Sequence, residues 1–397
     1  MSQPPTPDPV VLRAPWMLDG TGAQPVADAA LLLEGGRIAY AGAAADLPAA
    51  AAPLEARDFP GCTLLPGLVD VHVHLVASAG PDLAADVPAG EAGRTLAAVR
   101  NARRQLDAGV TLVRDLGAPG GEVVAVARAI EAGALEGPRV VAAGPAVTMT
   151  GGHIAYLGRT ADGPDAMRVA VRANLALGAR CIKVVATGGV LTMGIDPREP
   201  AYTQAELDAL VDEAHRLGMT VAAHAIGEGG VAAALRAGVD SVEHGMFLDD
   251  AAVELFLATG ARLTPTFSAP HGILAGPSVP GWIKDRARPA AEAQTASFQA
   301  AVKAGVPVVA GTDAGTPDNP HGGVALEVAF MVEAGLDVLL GVRSATAEAA
   351  GLLGDPDRGV LRSGAHADVL VAAGDVAGDV AALQRPAAVF QAGRRVR

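Results

Sequence analysis

The chain has 397 residues and a formal net charge of −13, with half of its residues apolar and 18% charged. This length exceeds one ordinary core, so we expect one large domain and one smaller domain. The acidic balance, without basic runs or aromatic platforms, argues against a nucleic-acid partner or an anionic membrane surface. Two distant cysteines cannot form a disulfide framework, and no apolar run resembles a membrane span or an N-terminal signal. We therefore expect a cytoplasmic protein.

Short runs that alternate apolar and polar residues predict β-strands at both ends of the chain. These predicted strands are Val10–Arg13, Ala30–Glu34, Arg37–Ala41, Asp368–Val371, Ala388–Phe390 and Gly393–Val396. Gly35-Gly36 is typical of a hairpin turn. Neither end carries enough strands to complete a sheet alone. We therefore predict that residues 1–62 and 356–397 together form one small β-sandwich domain.

Residues 63–355 repeat a strand, a loop and an amphipathic helix. The eight predicted strands are Leu64–His74, Thr111–Leu116, Arg139–Ala143, Cys181–Ala186, Thr220–Ala225, Ser241–Gly245, Arg262–Thr266 and Pro307–Gly311. Before one of the helices, Thr203 and Glu206 form a capping signal. Eight strands with crossover helices predict an α/β fold, a (β/α)8 TIM barrel, with functional residues at the carboxyl ends of its strands. An open doubly wound sheet is the alternative, but no glycine-rich dinucleotide loop follows any strand.

His72 and His74 end the first of these barrel strands and stand two residues apart. On an extended backbone both imidazoles point to the same face. Two neutral imidazoles on one rigid strand form half of a metal site, although the pair alone fits two buried core histidines equally well. The choice depends on whether other strands supply the remaining ligands.

Lys183 stands inside an apolar strand, between Ile182 and Val184. Burial of an isolated ammonium is costly, so this lysine either forms a structural salt bridge or reacts as a free amine. In the second interpretation the amine captures carbon dioxide and becomes a carbamate. The two oxygens of a carbamate can bridge two cations.

Three further strands end in a residue that can bind a metal, namely His224, His244 and Asp313. Each of these residues closes an apolar strand and precedes a helix. In a barrel they would therefore lie at the same mouth as His72 and His74. A lone histidine at a strand end is more often structural, but the whole set argues for a metal centre.

The order His72-x-His74, Lys183, His224, His244 and Asp313 resembles the metal-dependent amidohydrolase superfamily in its binuclear form. The resemblance covers nearly the whole chain, including the split terminal β-domain. Shorter phrases resemble the imidazolonepropionase-like branch, which contains Xaa-Pro dipeptidases, related carboxypeptidase-type enzymes and ochratoxin-type amide hydrolases. These phrases are Thr111–Gly117, Gly151–His153, Thr187–Gly189 and Val242–Gly245.

The resemblance implies two divalent metal ions bridged by carbamylated Lys183. One ion is expected on His72, His74 and Asp313, and the second on His224 and His244. Zinc is the expected metal, and cobalt or manganese suits the same ligands. Because a metal lowers the pKa of its water from ~16 to near 7, we expect the resulting hydroxide to attack an amide carbonyl. Asp313 would take the proton of the nucleophile and return it to the leaving amine.

The resemblance also implies a small-molecule substrate with an amide or peptide bond next to a terminal carboxylate. An Xaa-Pro-type dipeptide, an N-acyl amino acid and an ochratoxin-like amide all meet this description. His153, Tyr156 and Tyr202, in loops at the barrel mouth, are candidates to bind that carboxylate, with ordinary loop packing as the alternative. Similar proteins suggest a homo-oligomer.

Several polar residues near the mouth stay without an assigned role. Arg114 suits an ion pair with Asp115 or another carboxylate as well as it suits a substrate contact. Glu243 faces away from His244 on an extended strand, so no base role is assigned to it. His271 and His321 are expected to be structural or to belong to a lid.

Two other functions stay open. A cyclic-amide hydrolase or deaminase of the imidazolonepropionase type is expected to use one metal and to lack a lysine here, so Lys183 argues against it. A non-catalytic barrel that serves as a scaffold is expected to have lost ligands, whereas all six are present.

Overall fold

The structure is a computed structural model that describes residues 7–87 and 90–397. The strands of these residues are β1 (Val10–Met17), β2 (Val26–Glu34), β3 (Arg37–Ala43), β4 (Glu55–Asp58), β5 (Cys62–Pro66), β6 (Leu68–Val73), β7 (Val110–Asp115), β8 (Arg139–Ala142), β9 (Ala146–Thr148), β10 (Gly158–Thr160), β11 (Cys181–Val185), β12 (Thr220–Ala225), β13 (Ser241–His244), β14 (Arg262–Thr264), β15 (Val369–Ala373), β16 (Pro386–Gln391) and β17 (Arg394–Arg395).

Most of the helices lie between the parallel strands. The α-helices are α1 (Leu83–Asp86), α2 (Glu91–Asp107), α3 (Glu122–Glu131), α4 (Pro164–Leu177), α5 (Gln204–Arg216), α6 (Glu228–Ala237), α7 (Asp250–Thr259), α8 (Ser268–Ala275), α9 (Gly281–Ala304), α10 (Val324–Glu333), α11 (Val338–Ser344) and α12 (Ala347–Leu352). Short 3-10 helices cover Ala44–Asp46, Ala49–Ala51, Ala155–Leu157 and Val380–Gln384. Among the described residues, no helix has both the length and the apolar character that crossing a bilayer requires.

One sheet combines strands from both ends of the chain, in the order β17-β16-β15-β5-β1-β2-β3, with β4 beside β1. Gly35 and Gly36 connect β2 to β3 with φ values of 59° and 76°, which glycine adopts at little cost and which a tight hairpin turn requires. Strands from the two ends of the chain thus lie in one sheet and are joined through β5, which pairs with both β1 and β15. The share of this domain assigned to residues 1–6 lies outside the described residues.

The parallel strands form two sheets, β6-β7-β8 and β10-β9-β11-β12-β13-β14. The pairs β6–β7, β7–β8, β11–β12, β12–β13 and β13–β14 are all parallel. Parallel strands with helices between them are the α/β architecture expected from the sequence.

The predicted strand over 64–74 is wrong in one respect, because it is two strands that belong to different sheets. Leu64 in β5 pairs with Val371 of the terminal sheet, whereas β6 pairs with β7. Gly67 stands at the change of partner. A Cβ atom there would lie 2.2 Å from Oγ1 of Thr111, so only glycine fits this close approach. The strand boundary thus depends on a tertiary contact.

The segment predicted as the eighth strand, 307–311, pairs with its neighbours through single bridges. Val308 bridges to Leu263 in parallel, and the N–H of Val71 donates to the carbonyl of Ala310 at 3.1 Å. This segment therefore lies between β14 and β6 and brings the residues that follow it next to the end of β6.

Alternation along β11 separates the core from the candidate site. Ile182 and Val184 belong to the same buried apolar cluster as Leu207 and Leu210 of α5. Lys183 lies between them and, on an extended strand, projects from the opposite face. Helix packing on one face of the strand thus fixes Lys183 on the other.

Candidate metal centre

Three ligand groups converge at the end of β6. His72 and His74 are buried, with 1% and 3% of their surfaces exposed. Their Nε2 atoms lie 3.3 Å and 3.2 Å from Oδ1 of Asp313. One ligand atom from each of the three residues lies within 4.8 Å of the other two. Two imidazoles and one carboxylate at this spacing suit a divalent cation.

The backbone at these strand ends is constrained. Asp313 has a φ of 58° and His244 a φ of 78°, in the left-handed region that residues other than glycine rarely adopt. The N–H of Asp313 donates to the carbonyl of His72 at 2.8 Å. Nδ2 of Asn319 donates to the carbonyl of Asp313 at 3.0 Å. Such conformations persist where the surroundings hold them, and they cluster at functional sites.

The other three predicted ligands, Lys183, His224 and His244, come from the successive strands β11, β12 and β13. Nζ of Lys183 lies 3.4 Å from Nε2 of His72. The ring centroids of His224 and His244 are 4.7 Å apart, and those of His72 and His244 are 5.5 Å apart. The structure thus brings all six residues into one buried cluster.

Hydrogen bonds fix the orientation of three imidazoles in the cluster. Nε2 of His224 lies 2.8 Å from the carbonyl of Gly188, and Nδ1 of His74 lies 3.4 Å from the carbonyl of Gly117. Nδ1 of His244 lies 2.7 Å from Oγ1 of Thr266. A ring nitrogen that donates to a carbonyl leaves the other nitrogen unprotonated, with its lone pair available to a metal.

Burial controls protonation in the cluster. It lowers the pKa of His224 to about 3 and holds the pKa values of His72 and His244 well below the usual value for histidine. Burial also lowers the pKa of Lys183, to about 8. Burial alone would raise the pKa of Asp313, but the neighbouring His72 and His74 lower it overall. At neutral pH the imidazoles of His72, His224 and His244 are therefore neutral, and they lie near the carboxylate of Asp313 and the mostly protonated amine of Lys183.

A buried ion-pair network contacts His72 at Nδ1, the ring nitrogen that does not face Asp313. The carboxylate of Glu243 accepts from Nη2 of Arg114 at 2.9 Å and from Oγ of Ser241 at 2.5 Å. Its other oxygen lies 2.9 Å from Nδ1 of His72. Arg114 and Glu243 are fully buried, and Nε of Arg114 donates to the carbonyl of Val71 at 2.6 Å.

This network was missed by the sequence analysis, which assigned Glu243 no role and left the partner of Arg114 open. The available signal was a glutamate and an arginine inside apolar strands, because buried charges require partners. A carboxylate on the outer nitrogen of a ligating histidine orients the ring and strengthens it as a ligand. Glu243 is therefore placed to orient the ring of His72.

The residues present fit a bound cation. Four of the six clustered side chains are buried imidazoles, of which three have lowered pKa values, and Asp313 is a carboxylate with a lowered pKa. Lone pairs and one negative charge converge on a buried space, a combination that a cation stabilises.

The cluster lines a cavity with a volume of about 50 Å³, or about 610 Å³ when the open space at its mouth is counted. His153 also lines the cavity, and its Nδ1 lies 2.8 Å from Oγ1 of Thr192. Its ring centroid is 4.7 Å from that of His224. His153 is thus placed where it can contact a bound molecule.

Neither Tyr156 nor Tyr202 belongs to the described residues that line this cavity. The hydroxyl of Tyr202 donates to the carbonyl of Ala161 at 3.1 Å. The hydroxyl of Tyr156 is buried without a hydrogen-bond partner in the described part of the chain. Their role toward a substrate stays a prediction.

His271 and His321 contact protein groups. Nδ1 of His271 lies 2.7 Å from the carbonyl of Phe267, and the ring stacks on Phe330 with centroids 4.1 Å apart. Nε2 of His321 lies 3.1 Å from the carbonyl of Ala77. Both contacts agree with the structural role expected for these histidines.

Residues 63–396 match the amidohydrolase family. The chain belongs to this family. The match spans the strands that carry all six clustered residues, from His72 to Asp313, and the segments between them.

Individual relatives agree with this membership. Ochratoxinase from Aspergillus niger is 33% identical over 417 aligned positions, which cover 96% of this chain and 84% of the relative. The crystal structure of an Xaa-Pro dipeptidase with bound methionine in the active site superimposes with a TM-score of 0.91 at 30% identity, and covers 98% of this chain and 100% of that chain. Imidazolonepropionase from Cupriavidus necator is 43% identical over 76 residues, 19% of this chain and 18% of that protein.

These comparisons establish the general activity. This amidohydrolase is a hydrolase that acts on carbon–nitrogen bonds. Family membership also implies a TIM-barrel fold, in agreement with the parallel strands described above.

Proposed function

We propose that this amidohydrolase is a binuclear metal enzyme that cleaves an amide or peptide bond next to a terminal carboxylate. The observation that carries the proposal is the convergence of His72, His74 and Asp313 with Lys183, His224 and His244 around one end of a single cavity. His72, His74 and Asp313 would hold one divalent ion, and His224 and His244 the second. Zinc is the expected metal.

Lys183 is proposed to bridge the two ions as a carbamate. Its nitrogen would attack the carbon of carbon dioxide and release one proton to solvent, which leaves an anionic carbamate. Support comes from the place of Nζ, 3.4 Å from Nε2 of His72, and from a side chain that is 1% exposed. The lowered pKa of Lys183, about 8, leaves roughly a tenth of the amine neutral at pH 7 and able to react.

When bound, two divalent cations lower the pKa of a coordinated water and polarise an amide carbonyl. The residues of the chain would then direct the protons and hold the substrate. Asp313, buried between His72 and His74, would take the proton of the attacking water and give it to the leaving nitrogen. His153, with Tyr156 and Tyr202 in the neighbouring loops, would bind the substrate carboxylate.

We also propose that the two parallel sheets close into one (β/α)8 barrel and that the terminal sheet folds as a β-sandwich. Support comes from backbone hydrogen bonds between the sheets. The N–H of Arg180 donates to the carbonyl of Ala142 at 2.9 Å, and segment 307–311 joins β14 to β6 through Leu263 and Val71.

The function is tested by metal analysis and hydrolysis together. Protein produced with added zinc should contain two metal ions per chain and should hydrolyse N-acyl amino acids or dipeptides in a screened library. Substrates with a free carboxylate should be cleaved faster than the same compounds as primary amides. Metal-loaded protein that hydrolyses none of the library would refute the proposed substrate class, and protein that binds no metal would refute the mechanism.

A further inference from the structure

Apart from the ionisable residues and Thr316, the described residues that line the cavity are apolar. Its wall includes Ile226, Met246, Ala269, Ile273, Ala287 and Ala290, each of which is at most 5% exposed. We call these six residues the α9 pocket, because Ala287 and Ala290 belong to α9. The pocket and the metal cluster share one cavity, so a molecule bound at the cluster reaches this wall.

Helix α9 joins two apolar clusters at this wall. Ala287 packs in one cluster with Ile273, and Ala290 packs in another with Ile226 and Met246. Because Ala287 and Ala290 are three residues apart, they lie on the same face of the helix. Alanine is the smallest side chain with a Cβ atom, so this face leaves room where a larger residue would fill the pocket.

The ionisable groups that line the cavity belong to the metal cluster or lie beside it. Among the described lining residues, the ionisable side chains are the six clustered residues and His153. Arg286, on α9 beside the pocket, donates to the carbonyls of Gly189 and Ile195. A charged substituent against the wall of the pocket would therefore leave water without a charged partner among the residues of that wall, which is unfavourable. An apolar substituent there would gain affinity, roughly fourfold for each buried methylene group.

We propose that the α9 pocket binds an uncharged apolar substituent of the substrate and selects against a charged group at that position. The proposal rests on the proposed amide hydrolysis and narrows its substrate class to amides with an aliphatic or ring substituent beside the scissile bond. The substituent is part of either the acyl group or the amino-acid side chain.

Two substrate series test the proposal on the metal-loaded wild-type enzyme. In the first, the acyl group of N-acyl-alanine is hexanoyl or glutaryl, which have similar lengths but differ in charge. In the second, the amino acid of an N-acetyl substrate is norleucine or lysine. We expect kcat/KM to favour the neutral member by at least about tenfold in one series, and that series identifies the side of the bond that enters the pocket.

The outcomes separate the two proposals. Hydrolysis in which the neutral and charged members of both series differ by less than about threefold would overturn the α9 pocket and leave the amide hydrolysis intact. Absence of hydrolysis of every substrate would overturn the proposed function and, with it, this inference.

A substitution inside the pocket tests whether the preference for an apolar substituent arises there. The large apolar substrate is the neutral member of the selective series, either N-hexanoyl-alanine or N-acetyl-norleucine. Ala290→Leu should lower the ratio of its kcat/KM to that of N-acetyl-alanine at least about tenfold, because the added side chain fills the pocket. Ala296→Leu makes the same change at an exposed position of α9 and should leave this ratio unchanged. If Ala290→Leu does not fold, Ala287→Leu replaces it. If Ala290→Leu lowers kcat/KM equally for the large apolar substrate and for N-acetyl-alanine, the assignment of the α9 pocket as the binding site of the apolar substituent is wrong.

Discussion

Lys183 is a buried amine among four histidines and an aspartate. As a protonated lysine it would place a positive charge 3.4 Å from a predicted metal ligand, and its pKa of about 8 shows how strongly burial disfavours that charge. As a carbamate it would carry the negative charge that two cations require. Carbamylation would thus change this side chain from one that repels a bound cation to one that attracts it.

Replacement of Lys183 by alanine tests this step. We expect Lys183→Ala to contain at most one metal per chain and to lose more than ~100-fold in kcat/KM, since loss even of an outer-shell partner typically costs 10–100-fold. Added acetate or propionate should restore part of the activity, because a short carboxylate can occupy the space of the carbamate. Metal analysis and assays with and without the acid measure both effects.

Lys303→Ala, at an exposed position late in α9, serves as the control and should retain metal and activity. A Lys183→Ala protein with full metal content and full activity would remove the bridging role of this residue.

Glu243 contacts His72, a proposed metal ligand, and is not itself one of the proposed ligands. We expect Glu243→Gln to weaken metal binding by about 10–100-fold, because His72 loses the carboxylate that orients its ring. Competition with a chromogenic chelator measures the affinity. Ser241→Ala removes one hydrogen bond to the same carboxylate but keeps its charge, so a much smaller loss is expected. Equal losses in the two variants would contradict the positioning role.

At the scale of elements, the strand and helix pattern was largely predictable from the sequence. Thr203 and Glu206 form the predicted capping box at the start of α5, and the predicted ends of β12 and β13 carry His224 and His244. These signals are local. The division of 64–74 was missed although Pro66-Gly67 is a local breaker signal. The different partners of the two halves, β15 and β7, are distant in sequence and could not be read from it.

The residues of the candidate site likewise divide into those that local sequence signals predict and those that they do not. The six clustered residues were found because each interrupts or ends an apolar strand, and strand order alone places them at one end of a barrel. The contact between Glu243 and His72 could not be found by alternation along one strand. It depends on how far the side chain reaches across the interior from β13 to β6. Tyr156 lies in the short 3-10 helix Ala155–Leu157 and Tyr202 in a loop, and the sequence does not specify the shape of either segment.

The packing of α4 against α5 includes a buried carboxylate with two arginine partners. Arg172 of α4 donates to Glu213 at 2.7 Å, and Arg216 of α5 donates to the same carboxylate at 2.5 Å. These hydrogen bonds lower the pKa of Glu213 to about 2. Since the folded-state pKa lies below the unfolded value of about 4.3, this carboxylate stabilises the fold above that pH. The contribution is lost as the pH falls toward 2.

We therefore expect Glu213→Gln to unfold at a lower urea concentration than the wild type at pH 7. The difference between the two midpoints should narrow as the pH falls from about 5 toward 2, because protonation removes the same charge from the wild type. Asp212→Asn, on the same helix at a side chain that is 71% exposed, should change the midpoint little. A difference that stays constant over this pH range would refute the assignment.

At the scale of the whole molecule, the candidate metal centre connects the two parallel sheets. His72 belongs to the three-stranded sheet, whereas Lys183, His224 and His244 belong to the six-stranded sheet. Ions held between them would link segments that are more than a hundred residues apart in the chain. Since the unfolded chain cannot offer this arrangement, metal binding should stabilise the folded state.

Removal of the metal tests whether the ions stabilise the folded state. Metal at a hundredfold excess over its dissociation constant adds about 2.7 kcal/mol to the free energy of unfolding, so chelation should lower the thermal midpoint by several degrees. Added zinc should restore the midpoint. Asp313→Asn weakens the ligand set at the junction of the sheets, and its midpoint should respond less to chelator than that of the wild type. If metal analysis confirms removal and the wild-type midpoint does not move, the ions are not linked to folding, and His72 and Lys183 are held in place by the protein alone.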